Sequence, residues 1–185
     1  ELQKLIYLQI GLMQIIFTVF LWMEQKILIF KLLITFSLII YSSSSFSEKI
    51  IEGKAIIIDG DTIHIGKNKI RLHGIDAPET NQTCTINNEI WNCGIESTIA
   101  LEKFVLEKKV YCEIIDVDRY KRFVGICFAN KININQYMVQ NGWAIAYRYY
   151  SSDYINDENI AKNNIAGIWQ GKFQDPYLFR KQQKN

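Results

Sequence analysis

Four carboxylates and one arginine stand close together where apolar runs of the sequence end. Asp59 and Asp61 flank a glycine in "DGD", and "IRLHGIDAPET" carries Arg71, Asp76 and Glu79. Two aspartates two positions apart share one face of a strand that continues through them. Carboxylates that converge repel one another and stay ionised together only beside compensating positive charge. A hard divalent cation bound by oxygen atoms, Ca²⁺ or Mg²⁺, would supply that charge.

The positive side chains of the same region suit a phosphate. Arg71 lies within an apolar run, and "DRYKRF" adds Arg119, Lys121 and Arg122. Arginine is seldom buried unless paired, and its planar fork fits a carboxylate or a phosphate. A metal that polarises a phosphoryl oxygen, a carboxylate that positions or deprotonates water, and arginines that stabilise the developing charge would together hydrolyse a phosphodiester. The residue types therefore favour a metal-dependent phosphodiesterase.

Each of these motifs also has an ordinary structural explanation. "DGD" is commonly a turn, a charged hairpin tip is commonly solvated, and Arg71 could pair with Glu113 for structure alone. We interpret His64 and His73 as ordinary strand residues rather than as metal ligands or general acids. The joint occurrence of the motifs in one small domain is what favours a site.

The charge balance excludes a polycation that binds nucleic acid through a general field. The chain has 185 residues, enough for one domain and an appendage, and a formal net charge of +2. Residues 1–46 hold only five charged side chains, which leaves 18 basic and 17 acidic residues in the remainder. Any affinity for nucleic acid must therefore come from locally placed charges.

Residues 1–46 are predicted to be an apolar N-terminal segment, and residues 47–185 the folded domain. From Met23, "MEQK", "LLITFSLIIY" and "SSSSFS" follow the order of a secretory signal peptide. We therefore expect Met23 to be the true start and the protein to be secreted or periplasmic. The alternative is a retained membrane anchor, because the apolar run 5–22 is nearly long enough to span a bilayer.

The four cysteines all follow this segment and permit three pairings: Cys84, Cys93, Cys112 and Cys127. Their spacing matches no structural zinc pattern, and an exported protein favours disulfides. If the charged hairpin turns at residues 119 and 120, the third and fourth cysteines lie directly opposite each other, close enough to pair. The first and second cysteines then remain for each other.

The remaining pattern predicts an α+β fold that is mainly β. Strands are expected over residues 52–58, 62–65 and 69–75, a polar loop over 77–92, a hairpin over 110–129 and a strand in "AIAYRYY". Helices are expected over 94–109, over about 133–141 before Gly142, and in "DENIAKNNIAGIW" before Gly167. Five short strands with about three helices suggest a small Greek-key barrel with attached helices.

The motifs "DGDTI", "IRLHGIDAPET", "DRYKRFVGICF" and "NGWAIAYRYY", in this order, resemble the staphylococcal-nuclease-like (thermonuclease) family. The resemblance covers about residues 54–169. It implies a five-stranded OB-fold barrel with three helices, and calcium-dependent hydrolysis of DNA and RNA to 3′-phosphorylated products. It implies no protein partner; we expect a monomer, in contact with a membrane only if residues 1–46 are retained.

The resemblance also assigns catalytic and metal-binding residues. Arg71 and Arg122 look like the phosphate-binding catalytic arginines, and Glu79 like the carboxylate that takes a proton from water or orients it. Asp61, Asp76 and the carbonyl oxygen of Ala77 resemble the calcium ligands, with Asp59 acting through water.

The predicted substrate contacts lie on the hairpin tip and the last strand. Arg119 matches a contact to a terminal phosphate, and three tyrosines match positions against the bound nucleotide: Tyr120, Tyr147 and Tyr149. Tyr149 suits a half-buried barrel aromatic equally well. Family members usually have glycine where this chain has Lys121, and a positive φ there would cost lysine roughly 1 kcal/mol.

A non-catalytic OB-fold that binds nucleic acid or protein is the alternative function, because such barrels hold single strands on aromatic platforms and basic grooves. Degenerate copies of the family lack one or more of the charged residues. Every one of them is present here.

Overall fold

The computed structural model describes residues 13, 20, 22–34 and 49–183. The chain divides into two compact units, residues 1–47 and 48–185. Residues 22–34 are helical, and no helix in the described ranges is both long and apolar enough to cross a bilayer. The serines of the predicted cleavage region, and most of the apolar run 5–22, lie outside the described residues.

The second unit is built on a closed five-stranded barrel. The strands are β1 (Lys49–Asp59), β2 (Thr62–Ile65), β3 (Asn68–Leu72), β4 (Ile75–Asp76), β5 (Cys84–Ile86), β6 (Glu89–Trp91), β7 (Lys109–Val117), β8 (Phe123–Ala129), β9 (Ile132–Asn133) and β10 (Ile145–Ala146). The main sheet has the order β3-β2-β1-β7-β8-β9. Parallel pairing of β3 with β8 closes five of these strands, β3, β2, β1, β7 and β8, into the barrel. The predicted OB-fold barrel is therefore confirmed.

Four α-helices and one 3₁₀ helix accompany the barrel in residues 49–183. They are α1 (Cys93–Val105), α2 (Ile134–Gln140), α3 (Ile155–Asn163), the 3₁₀ helix (Gly167–Gln170) and α4 (Pro176–Gln182). The first three α-helices match the predicted ones, but α4 was missed. The sequence nevertheless contains the signals of a helix start, because Asp175 caps the helix and Pro176 occupies its first turn.

Two apolar clusters hold the unit together. Alternating side chains such as Ile63 and Ile70 fill the barrel, where they pack with Leu101 of α1 and Met138 of α2. A smaller cluster joins the Cys84–Cys93 disulfide to Ile168 and to aromatic residues of the C-terminal tail. The segment from Ile168 to Phe173 thus packs on the domain.

Both predicted disulfides are present. Cys112 and Cys127 are direct partners across β7 and β8, with Cα atoms 4.0 Å apart. Cys84 of β5 is bonded to Cys93 at the start of α1, with Cα atoms 5.7 Å apart. The second bond closes a loop that begins shortly after Glu79.

Two predicted strands are shorter than expected. The strand predicted over 69–75 ends at Leu72, because a turn at Gly74, with φ of +71°, separates it from β4. His73 therefore lies in a turn and not in mid-strand. In "AIAYRYY" only Ile145–Ala146 is a strand. The chain then forms a turn, in which the N–H of Tyr150 donates a hydrogen bond to the carbonyl of Tyr147 at 3.0 Å.

The predicted polar loop over 77–92 and two helix ends also differ. The loop contains the β5–β6 hairpin and a buried side chain, Gln82. Helix α1 ends at Val105 rather than near 109, since Glu107 adopts a φ of +60°. The helix predicted to end at Gly167 stops at Asn163, and the 3₁₀ helix starts at Gly167.

Candidate active site

The two aspartates of "DGD" are placed by the turn from β1 to β2. Asp59 is the last residue of β1, where the strand register shifts, and its Oδ1 accepts a hydrogen bond from the Asp61 N–H at 3.0 Å. Asp61 is almost fully buried, and its Oδ2 accepts from the backbone N–H of Ala77 at 3.0 Å. The turn therefore carries two carboxylates to the start of the loop that holds Glu79.

Arg71 of β3 bridges the carboxylates of Asp61 and Asp76. Its Nη1 donates to Asp61 Oδ1 at 2.6 Å, and its Nη2 donates to Asp76 Oδ1 at 2.7 Å. Burial alone would raise the pKa of Asp61, but Arg71 and the Ala77 N–H outweigh it and hold that pKa below its usual value. The structural alternative, in which Arg71 pairs with Glu113, is not what the structure shows.

Asp59 lacks the arginine partner that Asp61 has. Burial and, secondarily, the negative charge of Asp61 raise the pKa of Asp59 to about 6. The turn therefore carries more negative charge than the described residues neutralise. A bound cation would reduce the repulsion between the carboxylates of Asp59 and Asp61.

Glu79 is held through its backbone by a close approach of helix α1. A Cβ atom on Gly94, at the start of α1, would lie only 1.8 Å from the Glu79 carbonyl oxygen, so only glycine fits. The Glu79 N–H donates to Gln82 Oε1 at 3.2 Å, and the Gln82 N–H donates back to the Glu79 carbonyl at 2.7 Å. The loop that carries Glu79 is therefore fixed between α1 and a buried glutamine.

A second arginine, Arg180 of α4, contacts the same carboxylates. Its Nη1 lies 2.9 Å from Glu79 Oε1, and its Nη2 lies 2.8 Å from Asp76 Oδ2. Asp76 is fully buried, and Arg71 and Arg180 occupy one carboxylate oxygen each. Sequence reasoning missed Arg180 because it lies beyond the motifs, in a basic tail.

Arg122 is positioned by the tip of the β7–β8 hairpin. Asp118 accepts hydrogen bonds from the N–H groups of Tyr120 and Arg122, and its Oδ2 accepts from Arg122 Nε at 2.6 Å. Only Nε is used, so within the described residues the two terminal nitrogens of Arg122 remain available to a ligand. Lys121 has a φ of +63°, a left-handed conformation that favours glycine.

The predicted tyrosines occupy different positions around the site. Tyr147 is half-buried, and its N–H donates to the Gly74 carbonyl at 2.9 Å; burial and then Asp76 raise its pKa. Tyr120 is exposed beneath the guanidinium groups of Arg119 and Arg122. Tyr149 is 82% exposed and lies outside the cavity, against Tyr147 and Tyr150.

One open cavity of about 1100 Å³ brings most of these groups together. Arg71, Glu79 and Arg122 all line it, with Asp59, Asp61, Arg119, Tyr120 and Tyr147. Asp76 and Ala77 are buried and do not line the cavity. Three residues that the sequence analysis did not single out line it as well: Tyr150, Tyr177 and Arg180. The charged motifs of three separate chain segments therefore converge on one space.

Asp118 is a further functional residue that sequence reasoning missed. It stands four positions before Arg122, and it organises both the backbone and the side chain of that arginine. An aspartate at the start of a tight charged turn favours such side-chain-to-backbone bonds, so the sequence could have predicted these contacts of Asp118.

The donor set suits a hard cation bound in part through water. In the described ranges, no three side chains of His, Cys, Asp or Glu converge closely enough to hold a metal by themselves. Asp61 Oδ2 and both oxygens of Asp76 each accept a single hydrogen bond, which leaves each of them a second lone pair for a metal, and Asp59 adds a carboxylate without an arginine partner in the described residues. Calcium accepts two carboxylates, a backbone carbonyl and several waters, so these residues fit it.

Comparison with known proteins gives consistent matches over this region. The family model described as "Staphylococcal nuclease homologue" matches residues 69–171. The chain is 37% identical over 124 residues to succinoglycan biosynthesis protein ExoI of Rhizobium meliloti, covering 65% of each chain. It is 31% identical over 135 residues to the probable staphylococcal-like nuclease CAN3 of Oryza sativa subsp. japonica, covering 71% of this chain and 33% of that one.

A bacterial relative is matched over more of its length. The chain is 32% identical over 147 residues to the micrococcal nuclease of Shigella flexneri, covering 70% of this chain and 79% of that one. By contrast, it spans less than two thirds of ExoI and of CAN3. The family match takes in Arg71, Glu79 and Arg122 and extends over more than half of the sequence. On this basis, the chain belongs to the staphylococcal nuclease family.

Proposed function

We propose that this protein is a calcium-dependent nuclease that hydrolyses DNA and RNA to 3′-phosphorylated products. The observation that carries the proposal is the convergence of Arg71, Glu79 and Arg122 on one cavity at the edge of the barrel. The names of the relatives from Shigella and rice, both nucleases, support it.

Two arginines bind and polarise the scissile phosphate in this proposal. Arg122 offers both terminal nitrogens, because only its Nε is engaged by Asp118. Arg71 donates one bond from Nη1 and two from Nη2, to Asp76 and to the Ile75 carbonyl, so its Nε–H and one hydrogen of Nη1 remain for a phosphate. Donors fixed in this way stabilise charge on the phosphoryl oxygens as it develops.

Glu79 acts on the attacking water. Its Oε1 is taken by Arg180, and Oε2 has no hydrogen-bond partner among the described residues. That oxygen accepts a hydrogen bond from water and either orients it or takes its proton. The new bond forms between the water oxygen and phosphorus, and the P–O5′ bond breaks. The 5′ oxygen takes a proton from solvent and leaves as a hydroxyl, and the phosphate stays on the 3′ side.

Asp61, Asp76 and the Ala77 carbonyl would hold calcium, with Asp59 acting through water. Calcium bound there supplies positive charge against the phosphoryl oxygen and the attacking water. The same charge offsets the burial and, secondarily, the repulsion by Asp61 that raise the pKa of Asp59.

We also propose that the protein is exported, with residues 1–46 as a signal segment. Two disulfides with no free cysteine in the described residues support an oxidising compartment. Mass spectrometry of the native N-terminus tests this: a start near residue 47 supports cleavage, and a retained N-terminal segment indicates a membrane anchor.

The test of the proposed activity is a cleavage assay on single-stranded DNA and RNA, with calcium or with a chelator. We expect both substrates to be cut only with calcium, and the products to lose their terminal phosphate to a 3′-phosphatase. Binding of an oligonucleotide that stays intact in calcium would instead favour the non-catalytic OB-fold.

A further inference from the structure

The C-terminal helix α4 places Tyr177, Arg180 and Lys181 along the active-site cavity, and Arg180 contacts its carboxylates. Arg180 bridges Glu79 and Asp76 with separate nitrogens, over 2.9 Å and 2.8 Å. Its side chain is 28% exposed, and that of Glu79 is 32% exposed, so the pair is partly shielded from water. A charge-assisted bond of this kind is shorter and stronger than one between neutral groups.

The segment before α4 is bonded to the loop that carries Glu79. Thr85 and Lys172 exchange two backbone hydrogen bonds, each of 2.8 Å. The Gln82 side chain donates to the Gln174 carbonyl at 2.6 Å, while its Oε1 accepts from the Glu79 N–H. Residues 172–182, which we term the C-terminal clamp, therefore hold Glu79 through its backbone and through its carboxylate.

The start of α4 fixes the direction of Arg180. Asp175 caps the helix by accepting from the Leu178 N–H at 3.2 Å, and Pro176 is buried. The helix has only seven residues, so it depends on this cap and on its packing. Loosening the cap would therefore loosen Arg180.

We propose that Arg180 is a positioning residue for Glu79, a role that rests on the proposed nuclease function. Its guanidinium occupies Oε1 and anchors to the buried Asp76, so Oε2 points in one direction. A glutamate that is about one-third exposed would otherwise sample several rotamers, each with its carboxylate in a different place. Because misplacing a catalytic group by about 1 Å can cost roughly 100-fold in rate, this contact sets kcat.

The test compares Arg180→Met and Arg180→Lys in the full chain, assayed on single-stranded DNA with calcium. We expect kcat of Arg180→Met to fall about 10- to 100-fold with KM nearly unchanged. Arg180→Lys should recover part of the loss, because one ammonium replaces the two-carboxylate bridge incompletely. Lys172→Met is the control, since it removes one positive charge from the same clamp outside the cavity.

Hydrogen exchange without calcium gives a second readout. The amides of Glu79 and Gln82 should exchange faster in Arg180→Met and at the parent rate in Lys172→Met. An unchanged kcat, a rise in KM alone, or unchanged protection of these amides would each overturn the positioning role.

A second pair of variants covers the case in which Arg180→Met does not fold. Asp175→Ala removes the cap, whereas Asp175→Asn keeps an acceptor oxygen at the same place. We expect kcat to fall only in the alanine variant, and equal kcat in both would overturn the inference. If the parent protein itself cuts no substrate, the proposed function fails; if the parent cuts and the Arg180 variants match it, only the positioning role fails.

Discussion

At the scale of single residues, the buried carboxylates of the site are paired with arginines, whereas Asp59 is not. Asp61 and Asp76 are buried, and each has a guanidinium partner. Breaking such a buried pair by removing one member commonly costs about 3–5 kcal/mol, which is why the arginines also support the fold. Asp59 has no such partner, so its charge opposes folding when no cation is bound.

Asp59→Asn should stabilise the metal-free protein at neutral pH. The pKa of Asp59 is about 6 in the folded state against 3.8 as the reference value, so the folded state binds more protons between these limits. The free energy of unfolding therefore loses a contribution as pH rises from about 4 to about 6, and asparagine avoids that loss. We expect a gain on the order of 1–3 kcal/mol at pH 7.

Denaturant titrations in chelator at pH 7 and pH 4 check this prediction. The two proteins should differ at the higher pH and converge at the lower one. A variant equal to the parent at both pH values would contradict the raised pKa. The side-chain oxygen that accepts from the Asp61 N–H is kept in asparagine, so this bond is not lost.

The sequence singled out most of the charged residues that line the cavity but not their partners. Arg71, Glu79 and Arg122 lie in dense local motifs, and such motifs can be recognised without knowledge of the fold. Arg180 could not be placed in this way, because its contacts to Glu79 and Asp76 span 101 and 104 residues of sequence. Long-range side-chain contacts depend on packing that no local pattern encodes.

At the scale of elements, the two disulfides have different consequences. Cys112–Cys127 joins neighbouring barrel strands, and its 15-residue separation should contribute about 3 kcal/mol to stability by the loop-entropy estimate. Cys84–Cys93 closes a shorter loop, with a separation of nine residues, between the segment after Glu79 and the start of α1. Its contribution is nearly as large, because the loop-entropy term varies only with the logarithm of loop length. We therefore expect similar losses of stability but different effects on activity.

Alanine pairs at the two disulfides test this difference. Replacing Cys84 and Cys93 should lower kcat as well as stability, because the loop and the C-terminal clamp meet at Thr85 and Lys172. Replacing Cys112 and Cys127 should lower stability and leave kcat near the parent value below the melting transition. Equal kcat values for the two double variants would contradict this view of the loop.

Local pattern predicted the barrel strands and three helices because their apolar periodicity is strong. It failed where a turn interrupts an apolar run. The strand predicted over 69–75 breaks at Gly74, and the strand predicted in "AIAYRYY" stops after Ala146. It also missed the β5–β6 hairpin, whose strands have only three residues each and depend on the disulfide and on pairing with Lys172.

At the scale of the whole molecule, the charge is nearly balanced, and the cavity lining, with six basic and five acidic side chains, is nearly balanced too. The chain carries a net charge of +2, yet Arg71, Arg119 and Arg122 face one space. Substrate attraction should therefore come from a few phosphate contacts and not from a general field.

The salt dependence of KM measures the number of these contacts. Three contacts to a single strand predict a slope of log affinity against log salt of about −2, or a rise in KM of about tenfold between roughly 50 and 150 mM salt. With calcium held constant, Arg119→Met should reduce the slope by about 0.7, and Lys172→Met should leave it unchanged. A parent slope near zero would contradict a phosphate-binding cavity.

The most direct test of the active site is the single-turnover cleavage rate of Glu79→Gln and Arg122→Gln on single-stranded DNA in calcium. Both glutamine variants keep a hydrogen-bonding side chain but lose the charge that the proposed chemistry needs. We expect rates about 10²- to 10⁴-fold below the parent for each, with Lys172→Met at the parent rate. Parent-like cleavage by either glutamine variant would contradict it.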